Sequence, residues 1–255
     1  MGLIDRVHVE LEMPGLDRAG TVVRYGHWGR PVLVFPAEQG RAWDFEDNGM
    51  LASVGDLVEA GRIKVYCVDS ADDRTWSDRS LSLEDRTRGH GAYTSWVLDQ
   101  VVPWIGADSP GAADDGRGAV VTGASMGAYH ALQLALTRAD LFPVALCLSG
   151  NYDPAEWHAW GERGEAAYFT NPTDHVAHLG GEHLEWLRSR LRVVLVVGQG
   201  AWETHPTGSL PSARKMAALL GEKGIPHELD EWGHDAAHDW DWWRRQLAHH
   251  LPRFC

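Results

Sequence analysis

The chain has 255 residues, 44% of them apolar and 23% charged, a composition that builds a buried core and excludes a disordered chain. A chain of this length can form one α/β domain, burying roughly 75% of its unfolded surface without a disulfide or metal staple. The net charge of −13 repels phosphate, which excludes nucleic acid and anionic membrane surfaces as partners. No apolar run approaches the ~18 residues of a membrane span. Residues 1–6 lack the basic-then-apolar pattern of a signal peptide. Cys67, Cys147 and Cys255 are odd in number and scattered. They read as thiols of a reducing compartment, so a cytoplasmic location is expected.

In chain order, the pattern predicts strands at 21–25 and 31–35, a helix at 49–60, a strand at 63–69 and a helix at 93–105. A strand at 119–123, a helix at 126–138 and a strand at 144–149 follow. The chain then closes with a strand at 192–198, a helix at 211–223, a strand at 227–232 and a helix at 239–250. Several strands are apolar on consecutive residues, which suits a parallel sheet covered on both faces. Strand and helix in alternation argue for an α/β fold with right-handed crossovers, in one domain over 1–255. The segment 151–190, rich in Trp, His, Gly and Glu, breaks this rhythm and reads as a cap-like insertion over the strand ends.

Gly123-Ala124-Ser125-Met126-Gly127 matches Gly-x-Ser-x-Gly between an apolar strand and a helical pattern. A serine on so tight a turn needs small residues two before and two after it. The turn lifts the hydroxyl above the sheet and aims the first helical amides, that of Met126 foremost, at the reacting centre. Such a hydroxyl needs a base, and in this class the order is serine, acid, histidine. Two histidines compete near the C-terminus, His234 and His238; His238 stands directly before the last helix and is favoured. Glu203, in the loop after the 192–198 strand, is the expected acid, holding the tautomer of His238. Asp230 and Asp235 are the fallbacks. A second oxyanion amide should come from Ala37 or Glu38, in the loop after the 31–35 strand.

With these residues in place, the sequence resembles the putative-esterase branch of the α/β-hydrolases, the group of esterase D, feruloyl esterases and mycolyltransferase antigens. The matching stretches include Val32-Leu33-Val34-Phe35-Pro36, Gly123–Ala131, Leu148–Asp153, Trp202-Glu203 and His238–Arg244. The resemblance implies an α/β-hydrolase fold with a mostly parallel central sheet flanked by helices. It also implies Ser125 as nucleophile, Glu203 as acid and His238 as base, with no cofactor and no metal.

His234 and His238 also imitate a zinc motif with Glu203 as third ligand, but that would leave the serine elbow unused. Trp76, Trp157 and Trp160 are candidate walls of a substrate pocket. Tyr129 and His130 are expected to pack under the elbow. The expected activity is hydrolysis of a small-molecule carboxylic ester. An acyltransferase on the same triad and a non-catalytic α/β-hydrolase module are the alternatives. A homodimer is the base-rate expectation for assembly.

Overall fold

A computed structural model of the chain describes residues 5–113, 117–157, 163, 165–206 and 208–255. Its centre is an eight-stranded sheet. The strands are β1 Arg6–Met13, β2 Arg18–Tyr25, β3 Arg30–Phe35, β4 Ile63–Val68, β5 Val120–Ala124, β6 Val144–Leu148, β7 Arg192–Val197 and β8 His227–Glu231. Their spatial order is β1-β2-β4-β3-β5-β6-β7-β8. The β1–β2 and β2–β4 pairs are antiparallel, and every pair from β4 to β8 is parallel. Every residue of β3, β4, β5 and β6 is buried. This is why those segments read as largely apolar on consecutive residues.

One face of the sheet is covered by α1 Asp44–Asp47, α2 Met50–Ser53 and α3 Gly55–Glu59, together with the last helix. The other face carries α4 Leu83–Trp96, α5 Val102–Asp108 and, beyond α6 Pro110–Ala113, α7 Met126–Thr137. The insertion between β6 and β7 is helical: α8 Pro154–Trp157, α9 Glu165–Tyr168, α10 Pro172–His178 and α11 Gly181–Arg190. Its second half joins the helix layer, where Val176 and Leu187 are fully buried in the core shared with α7. The chain ends with α12 Ser209–Glu222, on the α7 face, and α13 Trp240–His250, on the α1 face.

Three elements differ from the sequence reading. β1 was not expected, because it is an edge strand with mostly exposed residues and no apolar run. The single helix expected at 49–60 is broken into short turns, since Gly49 sits at φ 72° and Val54 leaves helical geometry. The helix expected at 93–105 starts ten residues earlier. The Ser82 hydroxyl caps the Asp85 amide, and the helix continues through a π-turn at Val97–Val101 into α5. Among the described residues, no helix is long and apolar enough to cross a membrane.

Candidate active site

β5 runs straight into Ser125, and α7 begins at the next residue. Ser125 has φ 55° and ψ −120°, a conformation that costs an L-residue free energy and persists only when its surroundings enforce it. The flanking glycines allow it. A Cβ on Gly123 would lie 2.5 Å from the Gly127 carbonyl carbon, and one on Gly127 would lie 2.4 Å from Phe35 O and 2.5 Å from Pro36 O. The second glycine therefore lets the first turn of α7 press against the backbone leaving β3.

His238 lies between β8 and α13. Its amide donates to Ala201 O at 3.0 Å, and Gly200 N donates to Ala236 O at 2.8 Å, which ties the histidine loop to the loop after β7. His238 Nε2 lies 3.0 Å from Ser125 Oγ. Its Nδ1 lies 3.3 Å from Glu203 Oε2 and 3.4 Å from Ser209 Oγ. The imidazole meets the Trp243 ring nearly at right angles, with centroids 4.9 Å apart. Glu203 is completely buried. A buried carboxylate needs partners, and Ser149 Oγ donates to its second oxygen, Oε1. Ser209 Oγ donates in turn to Ser149 O at 2.7 Å. Ser149 follows the end of β6 and Ser209 opens α12; the first reaches the carboxylate and the second braces the first and lies by His238, because these element ends sit side by side.

Met126 opens α7, so its amide is one of those that a helix leaves without an intrahelical partner. The loop after β3 forms a turn closed by Gly40 N donating to Ala37 O at 2.9 Å, with Gln39 at φ 56°. Ala37 is half-buried and Glu38 exposed. The Glu38 carboxylate accepts from Ser77 Oγ at 2.5 Å, so what this residue can offer the site is backbone. An apolar hollow beside the turn is lined by Ala37, Phe45, Met50, Ala124, Leu148 and Trp240.

Trp76 does not wall that hollow. It is fully buried beneath the elbow, in a cluster with Met126 and Tyr129, its ring centroid 5.5 Å from His90. An indole at this site fills the core and leaves no surface for a substrate. Trp157 ends α8, and its side chain lies outside the described residues, as does all of Trp160. Tyr129 and His130 are buried. Tyr129 donates to Thr170 O at 2.6 Å, joining the elbow helix to the insertion. His90 stacks on His130 at 5.3 Å; burial, and secondarily the neighbouring His130, push its pKa well down. Arg86 is buried, its Nε donating to Asp78 O at 2.8 Å, whereas Arg88 pairs with Asp85 on the surface.

His234 is exposed, while His238 turns into the site; the two do not converge with Glu203 on one point. Asp230, His249 and His250 do place ligand-type atoms close together among the described residues. There Asp230 Oδ2 already takes Trp232 Nε1 and His250 Nε2 at 2.8 Å each. Arg253 occupies His250 Nδ1, also at 2.8 Å.

A family model described as putative esterase matches residues 37–254. Among solved structures, the chain is similar to a ferulic acid esterase, with a TM-score of 0.74 and 13% identity over 98% of this chain and 97% of that one. It is also similar to an S-formylglutathione hydrolase from Agrobacterium tumefaciens, with a TM-score of 0.73 and 15% identity over 98% and 94%. MPT51 of Mycobacterium tuberculosis matches with a TM-score of 0.72 and 16% identity over 98% and 97%. At these identities the likeness is one of fold, the α/β-hydrolase fold expected from the sequence. No curated protein sequence matches the chain. The family match covers most of the chain, serine elbow and last helix included, and the chain therefore belongs to the putative esterase family, as a carboxylesterase-type hydrolase.

Proposed function

We propose that this protein hydrolyses small-molecule carboxylic esters through an acyl-enzyme on Ser125, with His238 as general base and Glu203 as the carboxylate behind it. The observation that carries the reading is the line of three groups. His238 Nε2 is 3.0 Å from Ser125 Oγ, and its Nδ1 is 3.3 Å from a fully buried Glu203. Ser125 Oγ attacks the ester carbonyl while its proton passes to His238 Nε2. Glu203 stabilises the imidazolium formed and keeps the second proton on Nδ1. The carbonyl oxygen, now an oxyanion, accepts from the amides of Met126 and of Ala37 or Glu38. Collapse of the tetrahedral intermediate breaks the ester C–O bond, and the imidazolium gives its proton to the departing alkoxide. Water, deprotonated by the same Nε2, attacks the acyl-enzyme and releases the acid and free Ser125.

A fluorophosphonate is expected to label Ser125, and Ser125→Ala to remove about 10⁶ of the turnover of p-nitrophenyl acetate. Labelling of wild type at another residue, or full turnover by Ser125→Ala, would overturn the reading. Transfer of the acyl group to an alcohol shares the first half-reaction. It would replace hydrolysis as the reading if an added alcohol captured the acyl group in preference to water.

A further inference from the structure

Asp72 stands at the start of the turn after β4 and is 1% exposed, and His130, on α7 five residues beyond Ser125, is 3% exposed. His130 Nε2 lies 3.1 Å from Asp72 Oδ1. The other oxygen, Oδ2, accepts the backbone amide of Gln39 at 3.0 Å. Gln39 is the residue that holds φ 56° in the turn Ala37–Gly40. Such a conformation is uncommon for a residue with a side chain, and a bond to its amide helps to hold it. One buried carboxylate thus joins the two elements to which the proposed mechanism assigns the oxyanion amides: α7, which begins with Met126, and the loop after β3. The neighbouring bonds run the same way. Ser70 N donates to Gly40 O at 3.1 Å, and Asp69 Oδ1 accepts from Ala42 N at 2.9 Å. These hold the loop to the strand end further along; Asp72 links it to the elbow helix through side-chain hydrogen bonds.

We propose that Asp72 is a positioning residue, its carboxylate gripped by His130 and gripping Gln39 N, so that the loop amide at Ala37 or Glu38 is held in register with that of Met126 around a developing oxyanion. This rests on the reading of Ser125 as nucleophile. His130 contributes by orienting the carboxylate: it supplies an N–H to Oδ1 and is itself fixed between the rings of His90 and Phe35, with centroids at 5.3 and 5.6 Å. Donors preset in this way act only on charge that develops in the transition state. Loss of the tether should therefore appear in kcat and leave KM nearly untouched.

The experiment compares wild type, Asp72→Ala, Asp72→Asn and Ser125→Ala. Two readouts are used: steady-state hydrolysis of p-nitrophenyl acetate per folded molecule, and amide hydrogen exchange of the segment 36–42. Asp72→Ala is expected to lower kcat by about 10²-fold, with KM within about threefold, the size of effect that follows loss of one oxyanion donor. Asp72→Asn keeps an oxygen for Gln39 N but loses the charge, and is expected to lower kcat by about tenfold. In both variants the Gln39 amide should exchange at least about tenfold faster than in wild type, while the strands stay protected. Kinetics in both variants within about twofold of wild type would overturn the proposal, as would a Gln39 amide that exchanges at the wild-type rate. Should Asp72→Ala not fold, Asp72→Asn decides by the same two measurements. Ser125→Ala separates the two claims. If it keeps wild-type turnover, the nucleophile assignment fails, whereas exchange at Gln39 reports the tether without any substrate.

Discussion

Ser149 donates its hydroxyl to the Glu203 oxygen that is turned away from His238. The carboxylate is completely buried, so each oxygen has one defined task. One faces the imidazole and the other is anchored to the end of β6. Ser149→Ala removes the anchor and leaves a buried acceptor unsatisfied. The expected stability loss is about 1.5–3 kcal/mol by urea denaturation. A looser Glu203 should also cost about 1.4 kcal/mol of transition-state stabilisation, a tenfold fall in kcat. Wild-type kcat in a stably folded Ser149→Ala would show that the anchor is not felt at His238.

Glu203→Gln keeps the size of the acid and removes its charge. The amide can satisfy Ser149, yet it no longer favours the imidazolium or fixes the His238 tautomer. A fall in kcat of about 10³–10⁴-fold is expected from steady-state kinetics, by analogy with the same change in other triads. A variant within tenfold of wild type would move the acid role elsewhere, with Asp230 and Asp235 as the next residues to test.

Gly127→Ala places a methyl group 2.4 Å from Phe35 O and 2.5 Å from Pro36 O. Neither is a side chain that can swing aside, so the loop after β3 and the start of α7 must separate. Loss of one oxyanion donor lowers kcat by about 10²–10³-fold, and a fall of that order is expected here. Wild-type kinetics would mean that the two backbones can part without moving the donors.

Trp76 was expected in a pocket wall and instead fills the core below Met126 and Tyr129. Trp76→Ala should behave as a core deletion, losing about 3–5 kcal/mol of stability by urea denaturation. A fully stable variant with a changed preference for acyl length would restore the pocket role.

Asp153 ties the start of the insertion to Arg163, Asn171 and Lys215. Burial raises its pKa, but the hydrogen bonds from Arg163 and Asn171 outweigh that and hold the carboxyl below its ordinary value. Its folded pKa thus lies under the unfolded value of about 3.9. The stabilisation is complete above about pH 5 and is lost as the pH falls through the folded value. Asp153→Asn should cost about 1–3 kcal/mol at pH 7 and show a smaller loss between pH 5 and 3 than wild type. Parallel urea midpoints for the two proteins across that range would contradict this.

The parts of the fold that are buried on both sides could be read from the residues alone. β3 to β7 are mostly apolar runs, their few buried polar residues such as Arg30, Lys64 and Thr122 each hydrogen-bonded, and the elbow shows because its strain demands two glycines at fixed spacing. What escaped reading lacks such a local demand. β1 is half exposed at an edge, so its register is set by β2 and leaves no apolar run. Helix α4 begins in the charged segment Leu83–Arg88, where a cap at Ser82 and not apolar periodicity sets the start. At the site, Ser125, Glu203 and His238 stand in chain order at the ends of recognisable elements. Ser149, Ser209 and Asp72 are ordinary residue types at a strand end, a helix start and a turn. Only the packing of neighbouring strand ends gives them their partners.

The borders of the sheet also guard it against edge-to-edge pairing. Both outermost strands are studded with charge: Arg6, Glu10 and Glu12 on β1, and Glu228, Asp230 and Glu231 on β8. On β8 these carboxylates are held by Arg253, His250 and Arg214, so a strand added there from a second copy would have to bury or displace paired charge. Such borders resist fibril-like stacking. A sheet bordered in this way is disfavoured from lengthening by a strand of a second copy.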